Sequence, residues 1–227
     1  AGPANKQGRI AADNICGGNS RFTGSQGSSV LKLFGLTAAS TGINEKAAQA
    51  AGITYDKVVL FPASHATYYP GAQSMAMKVL YEKESLRLLG AQIVGGDGVD
   101  KRIDVLATAI RAKMTALELT ELDLSYAPPY SSAKDPVNMA GFMIEDLESE
   151  KVRQFHWNEV EDLPCDGSAT LLDVRTAWEY QRGHLDGFRN IPLDDLREHL
   201  DELDRGKPVY VNCQTGLRSY LACRLLT

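Results

Sequence analysis

A cysteine followed by a short polar loop is the feature of this sequence best suited to chemistry. Cys213 ends the apolar run VYVN, and helix formers resume in LRSYLACRLL. The intervening loop and helix start comprise Gln214, Thr215, Gly216, Leu217, Arg218 and Ser219. A cysteine at the carboxyl end of a buried strand lies where open α/β sheets bind ligands. The loop amides and the helix dipole favour a thiolate on Cys213, and Arg218 could pair with an anionic sulfur donor.

Two other interpretations of this cysteine deserve comparison. Most lone cysteines are buried core residues, but a glycine and an arginine in a strand–loop–helix frame favour a reactive thiol at Cys213. A phosphatase of the Cys-loop-Arg type needs five residues between the two, whereas QTGL supplies four, and a tighter loop suits a single sulfur atom. Cys223 falls at core spacing, while Cys16 and Cys165 have no activating neighbour in sequence, so all three are expected to be structural.

Composition narrows the class of protein. A length of 227 residues suits one large or two modest domains. The net charge is −5, and no run of Lys or Arg exceeds two, which argues against a nucleic-acid partner. No apolar stretch approaches the ~20 residues of a membrane span. Four cysteines without a C-x-x-C pair indicate reduced thiols, so a cytoplasmic protein is expected.

The elements that position Cys213 alternate between strands and helices. ATLLDVR and KPVYVNC are apolar enough for buried strands. HWNEVEDL, AWEYQRG and LDDLREHLDEL are predicted as a capped short helix, a helical turn and an amphipathic helix. Alternation of this kind predicts a parallel α/β sheet from residue 152 onward.

The first two-thirds of the chain has a different pattern. A helix is predicted at 3–14, a helix capped by Asn44 follows, a strand lies at 58–63, and residues 75–96 form a hairpin. Apolar helices are predicted at 101–122 and 136–147, and a charged stretch, ESEKVRQ, is the best linker.

The C-terminal motifs resemble the rhodanese family. The resemblance rests on LLDVRTAWEYQRGHLDGFRNIPLDDL followed by YVNCQTGLRS. It implies a persulfide on Cys213, held by the loop amides, and sulfur transfer to a thiophilic acceptor. In the family pattern His184 is structural rather than a general base, and Asp173 and Arg175 form a scaffold ion pair.

A second resemblance covers residues 1–150. SHATYYPGAQ, LLGAQIVGGDGVDKRIDVLATAI and SYAPPYSSAKDPVNMAG resemble the C-terminal third of flavin-dependent pyridine nucleotide-disulfide oxidoreductases. Coenzyme A-disulfide reductases and NADH oxidases with a rhodanese tail are the most similar group. The resemblance implies an α/β protein: a remnant of an FAD-binding domain at 1–41, a dimerisation domain at 42–148 and a rhodanese-like domain at 152–227. It also implies a homodimer acting on small thiols, disulfides or persulfides of the coenzyme A type.

The same resemblance suggests further site residues. The family uses two tyrosines that reach the partner subunit's disulfide site, and Tyr68 and Tyr126 match them best. Tyr69 and Tyr130 are neighbouring alternatives, and all four could simply pack at a dimer seam. The opening helix matches a segment that points at the flavin, where its dipole would favour a reduced ring. The residues nearest that ring would be Ala1, Gly2 and Pro3.

Departures from the family limit these expectations. No G-x-G-x-x-G fingerprint is present, and the redox-active cysteine of the family's N-terminal region is absent too. We therefore expect FAD and NAD(P)H to act in a longer parent protein and to bind this chain alone weakly or not at all. The rhodanese-like domain is expected to be incomplete at its C-terminus. The alternative function is a dimerisation or interaction module with a silent rhodanese fold, against which the intact QTGLR loop argues.

Overall fold

A computed structural model describes residues 2–227. The chain divides into two compact units, one ending at Met139 and the other running from Ala140 to Thr227. The two units are described separately below. No helix within residues 2–227 has the length and apolar character needed to cross a membrane.

The first unit is built on an antiparallel sheet. Its elements are α1 (Gly2–Ile15), β1 (Ser29–Leu33), β2 (Leu36–Gly42), α2 (Glu45–Ala50), β3 (Tyr55–Leu60), β4 (Met75–Glu82), β5 (Leu88–Gly95), α3 (Val99–Arg111), a 3-10 helix (Leu117–Glu121) and the start of α4 (Pro136–Glu148). The strand order is β1-β2-β5-β4-β3, and every neighbouring pair is antiparallel. The predicted hairpin over 75–96 and the Asn44 cap, which accepts from Ala47 N–H at 2.9 Å, are both confirmed.

Helix α3 packs against β2 and β5 and covers one face of this sheet. Val58, Val79 and Ala91 are neighbours in register and are fully buried. Ile103 and Leu106 of α3 are buried as well. Burial alternates along the first part of β4, where Met75, Met77 and Val79 are buried, because successive side chains of a strand point to opposite faces.

The predicted helix at 101–122 was wrong in its length, because α3 ends at Arg111. Lys113 takes a left-handed φ of 60°, its N–H bonds to Ile110 O, and Met114 N–H bonds to Ala109 O. This is the Schellman arrangement that usually has glycine at the left-handed position. Because lysine is not a residue that marks the end of a helix, the sequence did not indicate that α3 would end here.

The second unit contains the predicted parallel sheet. Beyond α4 it comprises a 3-10 helix (Trp157–Asp162), β6 (Thr170–Asp173), α5 (Ala177–Gln181), β7 (Arg189–Asn190), a 3-10 helix (Leu196–Glu202), β8 (Val209–Asn212) and α6 (Leu217–Leu226). Strand β6 lies between β7 and β8 and is parallel to both. Its Leu172 is fully buried in a core that includes Ile191, Leu196 and Val211.

Two helices predicted in this unit are 3-10 helices instead of α-helices. LDDLREHLDEL forms the tighter helix over Leu196–Glu202, where Leu196 and Leu203 are buried and i→i+3 bonds close the turns. HWNEVEDL forms the other over Trp157–Asp162, with the predicted cap supplied by His156 and Glu159. A 3-10 helix has fewer residues per turn than an α-helix, and the one over Leu196–Glu202 places Leu196 in the core.

Candidate active site

Cys213 lies directly after β8, and the backbone that follows it curls around its sulfur. The N–H groups of Gly216 and Ser219 point at Sγ from 3.2 and 3.3 Å. Gly216 has a left-handed φ of 99° and starts α6, a conformation that costs glycine little. The polar loop predicted from sequence is therefore a cradle of backbone donors around one sulfur atom.

The cradle changes the acidity of the thiol. Burial opposes ionisation of Cys213, but its hydrogen bond with the Ser219 hydroxyl and those from the amides of Ser219, Thr215 and Gly216 hold its pKa below the usual value. Burial raises the pKa of Cys223, ten residues along the chain on α6. Of these two thiols, Cys213 is the one disposed to be a thiolate, which is the nucleophilic form.

Arg218 lies beside this loop but its charge is already engaged. The two terminal nitrogens of its guanidinium donate to the Glu179 carboxylate, each at 2.7 Å. The same carboxylate accepts from the Thr176 N–H and hydroxyl in a capping box at the start of α5. Bonds from Arg218 and Thr176 hold the pKa of Glu179 far below its usual range. The sequence predicted that the charge of Arg218 would pair with an anionic sulfur donor. In the structure this charge is paired with the Glu179 carboxylate instead.

The scaffold beneath the loop matches the predicted ion pair. Asp173 is fully buried, and the Arg175 guanidinium pairs with it at 2.7 Å and also donates to Gly183 O at 2.8 Å. Asn190 Nδ2 donates to the carbonyl oxygens of Asp173 and Arg175 and so ties β7 to the end of β6. His184 is stacked on Tyr180 with ring centroids 3.8 Å apart, in keeping with a structural role.

The two tyrosines singled out in the first unit touch each other. Tyr68 lies in the loop 61–74 and Tyr126 in the loop 122–135, and their hydroxyl oxygens are 2.9 Å apart. This hydrogen bond raises the pKa of Tyr126. Of the alternatives, Tyr69 lies edge-on to His65 at 5.7 Å, and the Tyr130 ring is 72% exposed.

A buried arginine fastens the loops that carry these tyrosines. Arg102 of α3 donates to Ser64 O in one loop at 2.9 Å and to Tyr130 O in the other at 3.3 Å. It also pairs with Asp135 at 3.0 Å, and both side chains are at most 3% exposed. Burial opposes ionisation of Asp135, but bonds from the Val137 amide, Ser131 and Arg102 keep its pKa below its usual value. One ion pair therefore orders both tyrosine loops.

The predicted flavin-facing residues lie at the start of α1. Ala1 is outside the described residues, while Gly2 and Pro3 form the first turn of the helix. No acidic residue stands in that turn, and no residue of α1 is buried. The positive end of the helix dipole at this turn favours a ligand with negative character.

Comparison with family models separates the two halves of the chain. Residues 29–136 match the pyridine nucleotide-disulphide oxidoreductase dimerisation domain. Residues 156–227 match the rhodanese-like domain. The chain therefore carries a dimerisation domain of the pyridine nucleotide-disulphide oxidoreductase family followed by a rhodanese-like domain.

Individual relatives agree with this family. The chain is 41% identical over 145 residues to a coenzyme A disulfide reductase of Staphylococcus haemolyticus, a match covering 63% of this chain and 32% of that protein. Among solved structures, the reduced CoADR-RHD of Bacillus anthracis superimposes with a TM-score of 0.92 at 47% identity, covering 99% of this chain and 40% of the other. An NAD-dependent persulfide reductase from A. fulgidus gives 0.88 at 42% identity, covering 98% and 40%. The chain therefore spans about a third of the length of the curated relative.

Three features of this oxidoreductase–rhodanese chain escaped the sequence analysis. They are the Arg218–Glu179 pair, the buried Arg102–Asp135 pair, and a contact between Arg182 and the Trp178 ring. The capping-box spacing of Thr176 and Glu179 placed the carboxylate at the start of a helix but did not indicate Arg218 as its partner. Trp178 and Arg182 are four residues apart in the predicted helical turn, the spacing at which side chains of a helix meet. The Arg102–Asp135 pair depends on contacts that no local pattern specifies.

Proposed function

We propose that this chain is part of an NAD(P)H- and FAD-dependent reductase of coenzyme A disulfides or persulfides, and that Cys213 carries sulfane sulfur as a persulfide. The observation that carries the proposal is the Cys213 sulfur, bracketed by the Gly216 and Ser219 amides and lowered in pKa. Relatives named coenzyme A disulfide reductase and persulfide reductase support the substrate class. The proposed domains are dimerisation at 42–148 and rhodanese-like at 152–227.

Sulfur loading needs only a nucleophile and an anion cradle. The Cys213 thiolate attacks the outer sulfur of thiosulfate, the bond between the two sulfurs of the donor breaks, and sulfite leaves with that electron pair. Cys213 is then a persulfide anion, so charge and electrons balance without an external oxidant. The Gly216 and Ser219 amides, which point at Sγ of the free thiol, lie beside the place where the terminal sulfur anion forms and would stabilise its charge.

The flavin would lie at the N-terminus of α1. Gly2 and Pro3 fit such a group at one edge only, since the first turn of the helix has no acidic residue while the sequence has no G-x-G-x-x-G phosphate-binding loop. When bound, the flavin supplies the two electrons that a disulfide or persulfide accepts. The helix end contributes a positive dipole and backbone donors.

Dimerisation completes the proposal for the first unit. The family model that matches this unit is a dimerisation domain. Val59, Ala76 and Val94 occupy the sheet face opposite α3, and the exposed tyrosine pair stands on the same unit. We assign Tyr68 and Tyr126 to the partner subunit's disulfide site, as proton donors or thiolate stabilisers.

A location in the cytoplasm is part of the proposal. The free thiols of Cys16 and Cys165 are exposed, which suits the reducing conditions of that compartment.

The test is to load the full-length protein with thiosulfate and measure its intact mass. The wild type should gain one sulfur atom, and peptide mapping should place it on Cys213. Cys213→Ser should lose the adduct, because a hydroxyl is similar in size but forms no persulfide. The matched control is Cys223→Ser, which changes a half-buried cysteine on α6 and should keep the adduct.

Circular dichroism of the serine variants separates lost chemistry from lost folding. An adduct on Cys16, Cys165 or Cys223, or no adduct on a folded wild type, would contradict the assignment. The second of these results would favour the interaction module with a silent rhodanese fold.

A further inference from the structure

An open cleft adjoins the loop that holds Cys213. Its volume is about 340 Å³. The lining residues are Arg175, Trp178, Glu179, Arg182, Gly183 and Gln214. Gln214 directly follows Cys213, so a molecule in the cleft would lie next to the sulfur-carrying loop. At ~30 Å³ per water molecule the cleft has room for about eleven waters, which is more than a small inorganic sulfur anion fills.

The charges that line the cleft are unequally compensated. Arg175 is paired with Asp173, and Glu179 is paired with Arg218. Arg182 forms no ion pair with any carboxylate in the described part of the chain. The cleft therefore has one uncompensated charge, and that charge is positive.

Trp178 supplies an apolar wall next to this charge. The Arg182 guanidinium carbon lies 4.6 Å from the centre of the Trp178 ring, and the tryptophan is 64% exposed. A cation over an aromatic face orients the guanidinium while its N–H edges stay accessible. An organic anion with a short apolar stem could cover the Trp178 ring and pair with Arg182 at the same time.

We propose that Arg182 and Trp178 form a specificity-determining subsite for anionic organic thiols that take sulfane sulfur from Cys213. The proposal rests on the function proposed above, because it needs the persulfide. The acceptor thiolate attacks the outer persulfide sulfur, the sulfur–sulfur bond of the persulfide breaks, and its electron pair returns to Cys213 as a thiolate. The acceptor leaves as a persulfide anion, so one sulfur moves and no net redox change occurs.

The experiment loads Cys213 of the full-length protein with sulfur, removes the donor and measures sulfur loss to matched thiols. Mercaptopropionate, mercaptoethanol and cysteamine are anionic, neutral and cationic thiols of similar size. A second pair, phosphopantetheine and pantetheine, places a phosphate or no charge at the far end of a longer arm. The measured quantity is the ratio of rates for the anionic and neutral member of each pair, because intrinsic thiol reactivity cancels when variants are compared.

Arg182→Gln should lower this ratio about three- to fivefold, the upper range for an ion pair open to solvent. A lower ratio for the mercaptopropionate pair indicates that the subsite binds a carboxylate close to the thiol. A lower ratio for the phosphopantetheine pair indicates that it binds the phosphate of a longer thiol. The control is Arg205→Gln, which removes the same charge from an exposed arginine before β8, at the strand end away from Cys213. This control should leave both ratios unchanged.

Two negative results remain distinguishable. If Arg182→Gln loads sulfur normally but keeps both wild-type ratios, the subsite is refuted and the persulfide on Cys213 stands. If both arginine variants lower the ratios equally, the effect is general surface charge and the subsite is again refuted. If wild-type Cys213 takes up no sulfur, the proposed function fails and the subsite fails with it.

Discussion

Replacing Arg102 with methionine tests whether one buried ion pair orders both tyrosine loops. The guanidinium bonds to Ser64 O, Tyr130 O and the Asp135 carboxylate, and it is 1% exposed. Methionine fills much of the same space but donates no hydrogen bond, so Asp135 is left buried without its main cation. Removing one member of a buried pair costs roughly 3–5 kcal/mol, a large part of the roughly 5–15 kcal/mol that stabilises a typical domain.

The effect should depend on pH in a defined direction. The pKa of Asp135 is below its ordinary 3.8 in the folded protein, so its contribution to stability is present above that pH and is lost as the pH falls through the folded value. In Arg102→Met the carboxylate loses the guanidinium but keeps Lys101 Nζ at 3.6 Å and the bonds from the Val137 amide and Ser131, so the pKa of Asp135 should rise from its wild-type value. The variant's loss of stability should therefore be largest near neutral pH and shrink as the pH falls through the variant's pKa toward the lower wild-type pKa.

Hydrogen exchange of peptides from α3 and from loop 122–135, measured over a series of urea concentrations, reports the loss of local stability in Arg102→Met. The double variant Arg102→Met, Asp135→Asn removes the buried charge and should recover roughly 2 kcal/mol. Lys83→Met is the control, because its pair with Asp56 is open to solvent and its loss should cost no more than about 0.5 kcal/mol. If Arg102→Met costs no more than this control, or if the asparagine recovers nothing, the ion pair does not order the loops.

Further predictions concern other sites. Glu45 has a pKa of about 2, so Glu45→Gln should lower stability at neutral pH, and its difference from wild type in urea unfolding should disappear as the pH falls from 4.5 toward 2. Ser219→Ala removes a hydroxyl bond to the sulfur and should raise the pKa of Cys213 in a thiol-alkylation titration; an unchanged pKa would leave the amides as the whole cause. In the full-length protein, Tyr68→Phe with Tyr126→Phe should slow disulfide reduction while light scattering still finds a dimer, and unchanged turnover would favour simple packing. An absorbance scan of this chain alone should find no stoichiometric flavin band, and such a band would overturn the expectation that FAD needs a longer protein.

The elements that follow from local pattern were predictable. The β4–β5 hairpin, the Asn44 cap and the parallel strands around Cys213 depend on alternating apolar residues and on capping chemistry, which neighbouring residues specify. The end of α3 was not predictable in the same way. Lys113 adopts a left-handed conformation that sequence patterns expect of glycine, and the Schellman bonds that hold it form only once the helix exists.

The sequence by itself determined which residues carry chemistry, and the tertiary structure decided how each is paired. Cys213 and its loop were identifiable because a reactive thiol needs a strand end, a glycine and a helix start in continuous sequence. The partner of Arg218 was not, because Glu179 is 39 residues away and approaches only when α5 and α6 are folded. The same holds for Tyr68 and Tyr126, 58 residues apart, whose hydroxyls meet only in the folded unit. Coulomb and hydrogen-bond energies depend on distance in space, and the fold alone sets those distances.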